Sequence, residues 1–320
     1  MNRNGRRSRP GLVLAGLLLV GAALLSGCAT PPQTRQLSRD WPTGLPSRAL
    51  LAEQPFFAQQ EYECGPAALA MLLAAAGRGT VTPEQLAPQV YLPGRQGSLQ
   101  QELLAGARRH GLPAYRLAPT LPALLQEVAA GHPVLVFQNL ALPAFPVWHY
   151  AVLIGFDRER GLLTLHSGLT PHLEMSLTAF ENTWARGGHW AMVALPPEQL
   201  PATAEVDRLA AAVAALERSD APAARRAYAA ALTRWPAHPT LLLGAGNSAY
   251  AMGDLEAAAT AYRTALQARP EAADTWNNLA QVLLDQGRPA EARAAVARAL
   301  ALGGPRRPLY EELARKLEAR

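Results

Sequence analysis

Two residue types are nearly missing from this 320-residue chain, which holds two cysteines, Cys28 and Cys64, and one lysine, Lys316. Two thiols cannot build a disulfide framework. No Cys/His grouping has zinc-ligand spacing, so neither a structural metal nor a cofactor is expected. A phosphate-cradling Gly-rich loop that ends in lysine is absent as well. The longest apolar run near the start, residues 11–25, has 15 residues, short for a membrane-spanning helix. The formal charge of +5 falls to +1 once Arg3, Arg6, Arg7 and Arg9 are set aside with the leader they belong to. A near-neutral mature chain has no electrostatic footprint for nucleic acid, which is excluded as a partner.

What is present begins with that leader. Arg3 to Arg9 form a basic segment, residues 11–25 an apolar one, and Leu24-Leu25-Ser26-Gly27-Cys28-Ala29 closes it. Small residues followed by cysteine resemble the bacterial lipoprotein signal. The resemblance implies a signal peptide over residues 1–27, cleavage after Gly27 and acylation of Cys28. Ala29, where an aspartate would retain the protein, implies the periplasmic face of the outer membrane. Acyl chains would make the membrane itself a partner, each buried methylene contributing about 0.8 kcal/mol. Residues 28–47 are polar, hold several prolines and show no periodicity, so they read as a tether.

Residues 48–197 read as one domain. Helices are expected over 83–90, 99–111 and 121–130, and strands over 114–117, 134–137, 149–156, 162–166 and 190–195. In the strand 149–156, Tyr150, Val152 and Ile154 share one face, and His149, Ala151, Leu153 and Gly155 the other. Helices first and an antiparallel sheet second make an α+β pattern.

The chemistry concentrates in Gln59-Gln60-Glu61-Tyr62-Glu63-Cys64-Gly65-Pro66-Ala67-Ala68-Leu69. Pro66 suits a first helical turn and the residues after it favour helix. Cys64 therefore sits at a helix N-terminus, whose dipole favours thiolate. A thiol nucleophile needs a base, and His149, which opens a β-branched strand 85 residues on, is the best placed of seven histidines.

Together, Gln59, the Cys64-Gly65-Pro66-Ala67-Ala68-Leu69 run and the His149-Tyr150-Ala151-Val152-Leu153-Ile154-Gly155 run resemble the papain-fold cysteine peptidases of the double-glycine, bacteriocin-leader-processing group. The resemblance implies Cys64 as nucleophile, His149 as general base, and Gln59 plus the Cys64 N–H as oxyanion donors, with Gln60 the alternative donor. It also implies a peptide or protein substrate. The helix dipole and attraction to an imidazolium together lead us to expect a thiol that titrates below its free value. The group's third residue, an aspartate after the next strand, is missing, and that place reads Leu165-His166-Ser167-Gly168. His166 is the expected orienter, with Ser167 as the alternative and Asp157 at the other end of the hairpin. A Cys/His pair with a weak orienter and a peptide-binding domain without activity both remain open.

A 34-residue period marks residues 203–320. Ala224, Ala258 and Ala292 align, as do Tyr228, Tyr262 and Val296, and Ala231, Ala265 and Ala299. These resemble three tetratricopeptide repeats with residues 307–320 as a capping helix. The fold class expected is thus an α+β papain-like peptidase domain followed by an all-α solenoid. Such a solenoid presents a groove for a partner protein, here with Asn247, Asn277, Asn278 and Gln281 as candidate lining.

Overall fold

A computed structural model describes residues 30–59 and 63–319. Residues 1–27, Cys28 and Gln60 lie outside the described residues.

A seven-stranded antiparallel sheet organises the first unit. It comprises β1 (Arg48–Leu50), β2 (Ala114–Arg116), β3 (Val134–Asn139), β4 (Trp148–Asp157), β5 (Leu162–Ser167), β6 (Thr170–Ser176) and β7 (Ala191–Ala194). The spatial order is β2-β7-β3-β4-β5-β6, and β1 takes over from β3 along the far end of β4. Helices cover both faces. On one lie α2 (Cys64–Ala75), α3 (Pro83–Val90) and α4 (Gln100–Arg109), packed with Tyr150, Val152 and Ile154. On the other lie α5 (Leu121–Ala129) and α6 (Leu177–Arg186), packed with Ala151 and Leu153. The two faces of β4 follow the period-2 reading of the sequence.

Every residue from Gly65 to Leu73 is buried. A helix apolar on all sides has no solvent face to offer and belongs inside, so α2 lies between the sheet and α3/α4. No helix among the described residues is long and apolar enough to cross a membrane. Besides the N-terminal helix, β1, β6 and α6 escaped the sequence reading, β1 having only three residues. β6 is mostly exposed, and its alternation is confined to half-buried Leu173 and Met175, too short to mark a strand. α6 does have a signal, Leu177, Phe180 and Trp184 on one buried face behind the Ser176 cap.

The tether reading of residues 28–47 is corrected over residues 32–39. The helix α1 (Pro32–Arg39) docks on α5 and α6 and buries Thr34 and Leu37. Its anchor is Glu181, 1% exposed, which accepts from Gln33 N (2.9 Å), Thr34 N (2.6 Å) and Thr34 Oγ1 (2.6 Å). The free N–H groups of a helix start thus meet a buried carboxylate, which gains both hydrogen bonds and the favourable dipole. The prolines that suggested an extended leash instead start a helix, Pro32 lying at its first position. Two apolar or small positions in eight residues are too few to show as a period.

The second unit is a stack of antiparallel helices: α7 (Val206–Glu217), α8 (Ala221–Arg234), α9 (Pro239–Ala251), α10 (Leu255–Ala268), α11 (Ala273–Asp285), α12 (Pro289–Leu302) and α13 (Arg307–Glu318). The period recurs as physics. Asp220 and Asp254 cap α8 and α10 through Ala223 N and Ala257 N. A Cβ on Gly244 would collide with the Tyr228 ring, and one on Gly246 with Tyr262, so each tyrosine fills a notch that glycine leaves. The units share a core. Leu209, Val213 and Leu216 of α7 pack in one cluster with Tyr115 and Leu124. Glu127, fully buried, accepts from Ala202 N (3.1 Å), Thr203 N (2.8 Å) and Thr203 Oγ1 (2.6 Å), and His132 Nδ1 lies 2.7 Å away. Burial alone would raise its pKa, but these hydrogen bonds outweigh burial and hold the carboxyl below the usual range.

Removing Glu181 should release α1. A hydrogen bond to a charged group contributes about 1.5–3 kcal/mol, so Glu181→Ala should lower stability by roughly 3 kcal/mol or more. Urea denaturation reads the loss, and trypsin cleavage after Arg35 or Arg39 should quicken in parallel. Equal stability and equal cleavage would show that α1 is not held this way.

Candidate active site

The burial of α2 sets the position of Cys64. Its first residue is delivered to the end of β4, where the N–H groups of Cys64, Gly65 and Tyr150 turn to the sulfur. Gly65 is needed there, because a Cβ would collide with the Ser98 side chain in the facing wall. That wall is tied to the sheet through Tyr150 Oη, which donates to Ser98 O (3.1 Å).

His149 is half-buried, and it lines the same cleft as Cys64, of about 1110 Å³. Its Nε2 lies 2.9 Å from Ser167 Oγ. The orienting partner is therefore Ser167, and the expectation for His166 is corrected. His166 is fully buried, with Nε2 3.0 Å from Gln54 O and Nδ1 accepting from His172 N (3.2 Å). Its ring packs against Phe56 and His172. The reason is strand alternation. His166 stands opposite Val152 in the ladder, while Ser167, one step on, shares the side of Ala151 and His149. Asp157 pairs with Leu162 at the other end of the hairpin.

Gln59 also lines the cleft and is 6% exposed. Its Nε2 donates to Tyr150 O (3.2 Å), and its Oε1 accepts from Gly168 N (3.0 Å). One amide side chain therefore joins the start of β4 to the turn after Ser167. The second hydrogen on Nε2 is left for a ligand in the cleft.

The charge state departs from the sequence expectation. Burial pushes the Cys64 thiol up, and the three backbone N–H groups offset it only in part. Burial pushes His149 down to about 4. Both effects favour the uncharged forms, so at pH 7 the resting pair is a thiol and a neutral imidazole. The expected lowering of the thiol assumed a counter-charge, but Ser167 is neutral and supplies none. For Nδ1 to take a proton, the ring carries its hydrogen on Nε2 and donates it to Ser167.

The remaining walls of the cleft were not singled out in the sequence. They come from the polar loop Arg95 to Gln100, from Trp148 stacked on Phe137 (5.2 Å, 13°), and from Arg186 to Gly188. The run Gly94-Arg95-Gln96-Gly97-Ser98 between two helices is the one local signal that marks a loop there. Among the described residues, no cluster of His, Cys, Asp and Glu is arranged to hold a metal.

In the helical unit, Asn247, Asn277, Asn278 and Gln281 line one groove of about 380 Å³ with Tyr250 and Lys316. Asn278 Nδ2 donates to Asn247 Oδ1 (3.1 Å), and Asn277 Oδ1 is buried with no partner among the described residues.

Comparison with known proteins assigns both units. Residues 52–192 match the Peptidase_C39 like family, and residues 209–250 and 243–307 match the tetratricopeptide repeat. The chain thus carries a C39-peptidase-like domain followed by tetratricopeptide repeats. No curated protein matches the chain. Among solved structures, a C39-like peptidase from Bacillus anthracis is 21% identical over 46% of this chain and 97% of its own, with a TM-score of 0.38. The type III secretion translocator chaperone SycD of Yersinia enterocolitica is 22% identical over 36% of this chain and 81% of its own (TM-score 0.34). The Sgt2 TPR domain of Aspergillus fumigatus is 23% identical over 37% and 79% (TM-score 0.34).

Alkylation of Cys64 by iodoacetamide should follow a pH profile with a midpoint above the free-thiol value of about 8.5. In Ser167→Asp, a carboxylate beside Nε2 favours imidazolium and should raise His149 from about 4 and lower that midpoint. Nuclear magnetic resonance titration of the imidazole gives the first shift, and alkylation rates give the second. A wild-type midpoint well below 8.5 would mean that an ion pair exists despite burial.

Proposed function

We propose that this chain, a C39-peptidase-like domain joined to tetratricopeptide repeats, is a lipid-anchored cysteine peptidase of the bacterial cell envelope. It acts on a peptide or protein substrate at the periplasmic face of the outer membrane, and the repeat groove holds that substrate or a partner protein. The observation that carries the reading is the convergence of Cys64, His149 and Gln59 on one cleft. The leader ending in Cys28 supports the anchor.

In the reaction, the Cys64 thiol gives its proton to His149 Nδ1 as the sulfur attacks the scissile carbonyl carbon. Because both groups rest uncharged, transfer accompanies attack instead of preceding it. The imidazolium formed holds its Nε2 hydrogen on Ser167. Negative charge on the carbonyl oxygen meets the free Nε2 hydrogen of Gln59 and the Cys64 N–H, two fixed donors in a partly desolvated site. His149 then protonates the departing amine, leaving a thioester. Water, deprotonated by the same imidazole, releases the acyl product and restores the thiol.

A second reading, a peptide-binding adapter, is favoured by the absence of a carboxylate at Ser167. A thiol-reactive peptidyl probe together with turnover of a reporter peptide separates the two. The peptidase should be labelled at Cys64, lose all turnover in Cys64→Ala and lose most in His149→Ala. Gln59→Ala should reduce turnover about 10²–10³-fold, the usual cost of one oxyanion donor. Equal slow labelling of wild type and His149→Ala, with no cleavage, would leave the adapter.

A further inference from the structure

Eleven large apolar side chains are exposed among the described residues, and six of them crowd onto two hairpin tips. Leu140, Leu142, Phe145 and Val147 belong to the β3–β4 connection, Trp148 opens β4, and Leu169 belongs to the β5–β6 turn. Phe145 is 78% exposed, Leu169 74% and Leu142 68%. Residues 140–148 contain no charged side chain. The longer tip is nevertheless ordered from within. Asn139, 1% exposed, accepts from Ala141 N (3.0 Å) and Val147 N (2.9 Å) through Oδ1, and Phe145 N donates to Leu142 O (3.0 Å). A loop held in shape with its apolar side chains outward is preorganised to meet something apolar.

Where the chain enters the fold indicates what that is. β4 and β5 are antiparallel, so both tips lie at the end of the sheet where the cleft opens. β2 and β3 both pair antiparallel with β7 and therefore run the same way, toward that end. The segment leaving β2 meets the start of α1. Gln33 Nε2 donates to Pro119 O (3.1 Å), and Gln33 Oε1 accepts from Leu121 N (2.7 Å). From there the chain runs away to Trp41, which packs on Phe156 at the far end of β4. Thr30 thus leaves the fold at the end that carries the apolar tips. Cys28 is two residues further, a reach of at most about 7 Å. With α1 docked by Glu181, no long leash separates an acyl chain at Cys28 from this edge.

We infer that this edge is a lipid-binding face, on which Leu142, Phe145 and Leu169 seat in the interface of an anionic bilayer. Apolar side chains with a tryptophan at their margin fit the boundary between headgroup and acyl chain. Arg95 and Arg186 in the adjoining cleft suit anionic headgroups, and no carboxylate stands among its described lining residues. The inference rests on the anchored reading for how the face reaches a membrane, but its own lipid affinity is separate from the anchor. A cleft opening at the bilayer would receive polypeptide segments lying on or leaving the membrane.

Flotation with vesicles of phosphatidylethanolamine and phosphatidylglycerol (3:1) tests it, using residues 29–320, which retain every described element and omit Cys28. This protein should float with the vesicles and do so less at high salt. Leu142→Asp/Phe145→Asp, with an unchanged circular dichroism spectrum and thermal transition, should bind at least tenfold more weakly. Wild type that stays with the soluble fraction overturns the inference, as does an Asp pair that floats equally well. Loss of turnover on a soluble peptide in the Asp pair, without any vesicle binding by wild type, overturns it in favour of a substrate contact. The mass of the N-terminal peptide of the full chain reports acylation of Cys28 independently. An unmodified Cys28 beside intact flotation sinks the anchor alone.

Discussion

The burial of α2 is the constraint from which the site follows. Nine consecutive residues, Gly65–Leu73, have no polar face, so the helix must be enclosed by the sheet on one side and α3 and α4 on the other. Fully burying one leucine or methionine side chain contributes roughly 1.5–3 kcal/mol, and α2 buries several. Once that helix is seated, Cys64 has no freedom to lie elsewhere than at the end of β4. The strand that supplies Tyr150 to the α2 core also supplies His149 to the cleft.

The same burial decides the electrostatics. A helix start and three inward N–H groups favour a thiolate, while removal from water favours a thiol. Desolvation wins at the sulfur, and burial pushes the imidazole in the same cleft toward neutrality as well, so it brings no positive charge at rest. Ser167 Oγ meets the ring's Nε2 where an aspartate could, but it adds no charge. The imidazole thus has a fixed hydrogen-bonding partner and no counter-charge from it.

Buried carboxylates do the joining elsewhere. Glu181 holds the start of α1, and Glu127 holds the connection into α7, each by accepting backbone N–H groups and a threonine hydroxyl. Both sit where a chain segment arrives with unpaired donors, and an ionised acceptor satisfies several at once. The consequence is a continuous packed path from the N-terminal exit through the peptidase-like sheet into the repeats, which share its core.

Local chemistry carried much of this. The Cys64-Gly65-Pro66 helix start, the alternating strand after His149 and the 34-residue recurrence of alanine and tyrosine each specify structure within a few turns, because apolar period and capping act over that range. Gln59, Cys64 and His149 could be singled out for the same reason, each standing beside a recognisable element, and all three line one cleft. Tertiary packing alone decided the rest. Whether His166 or Ser167 meets the base depends on which side of β5 each occupies, and one residue of register reverses the answer. Residues 32–39 became a docked helix because Glu181, some 150 residues away, supplies the acceptor that their own sequence lacks. The charge of Cys64 and His149 is set by how much water the fold removes, a property of the whole packed interior and of no single stretch of chain.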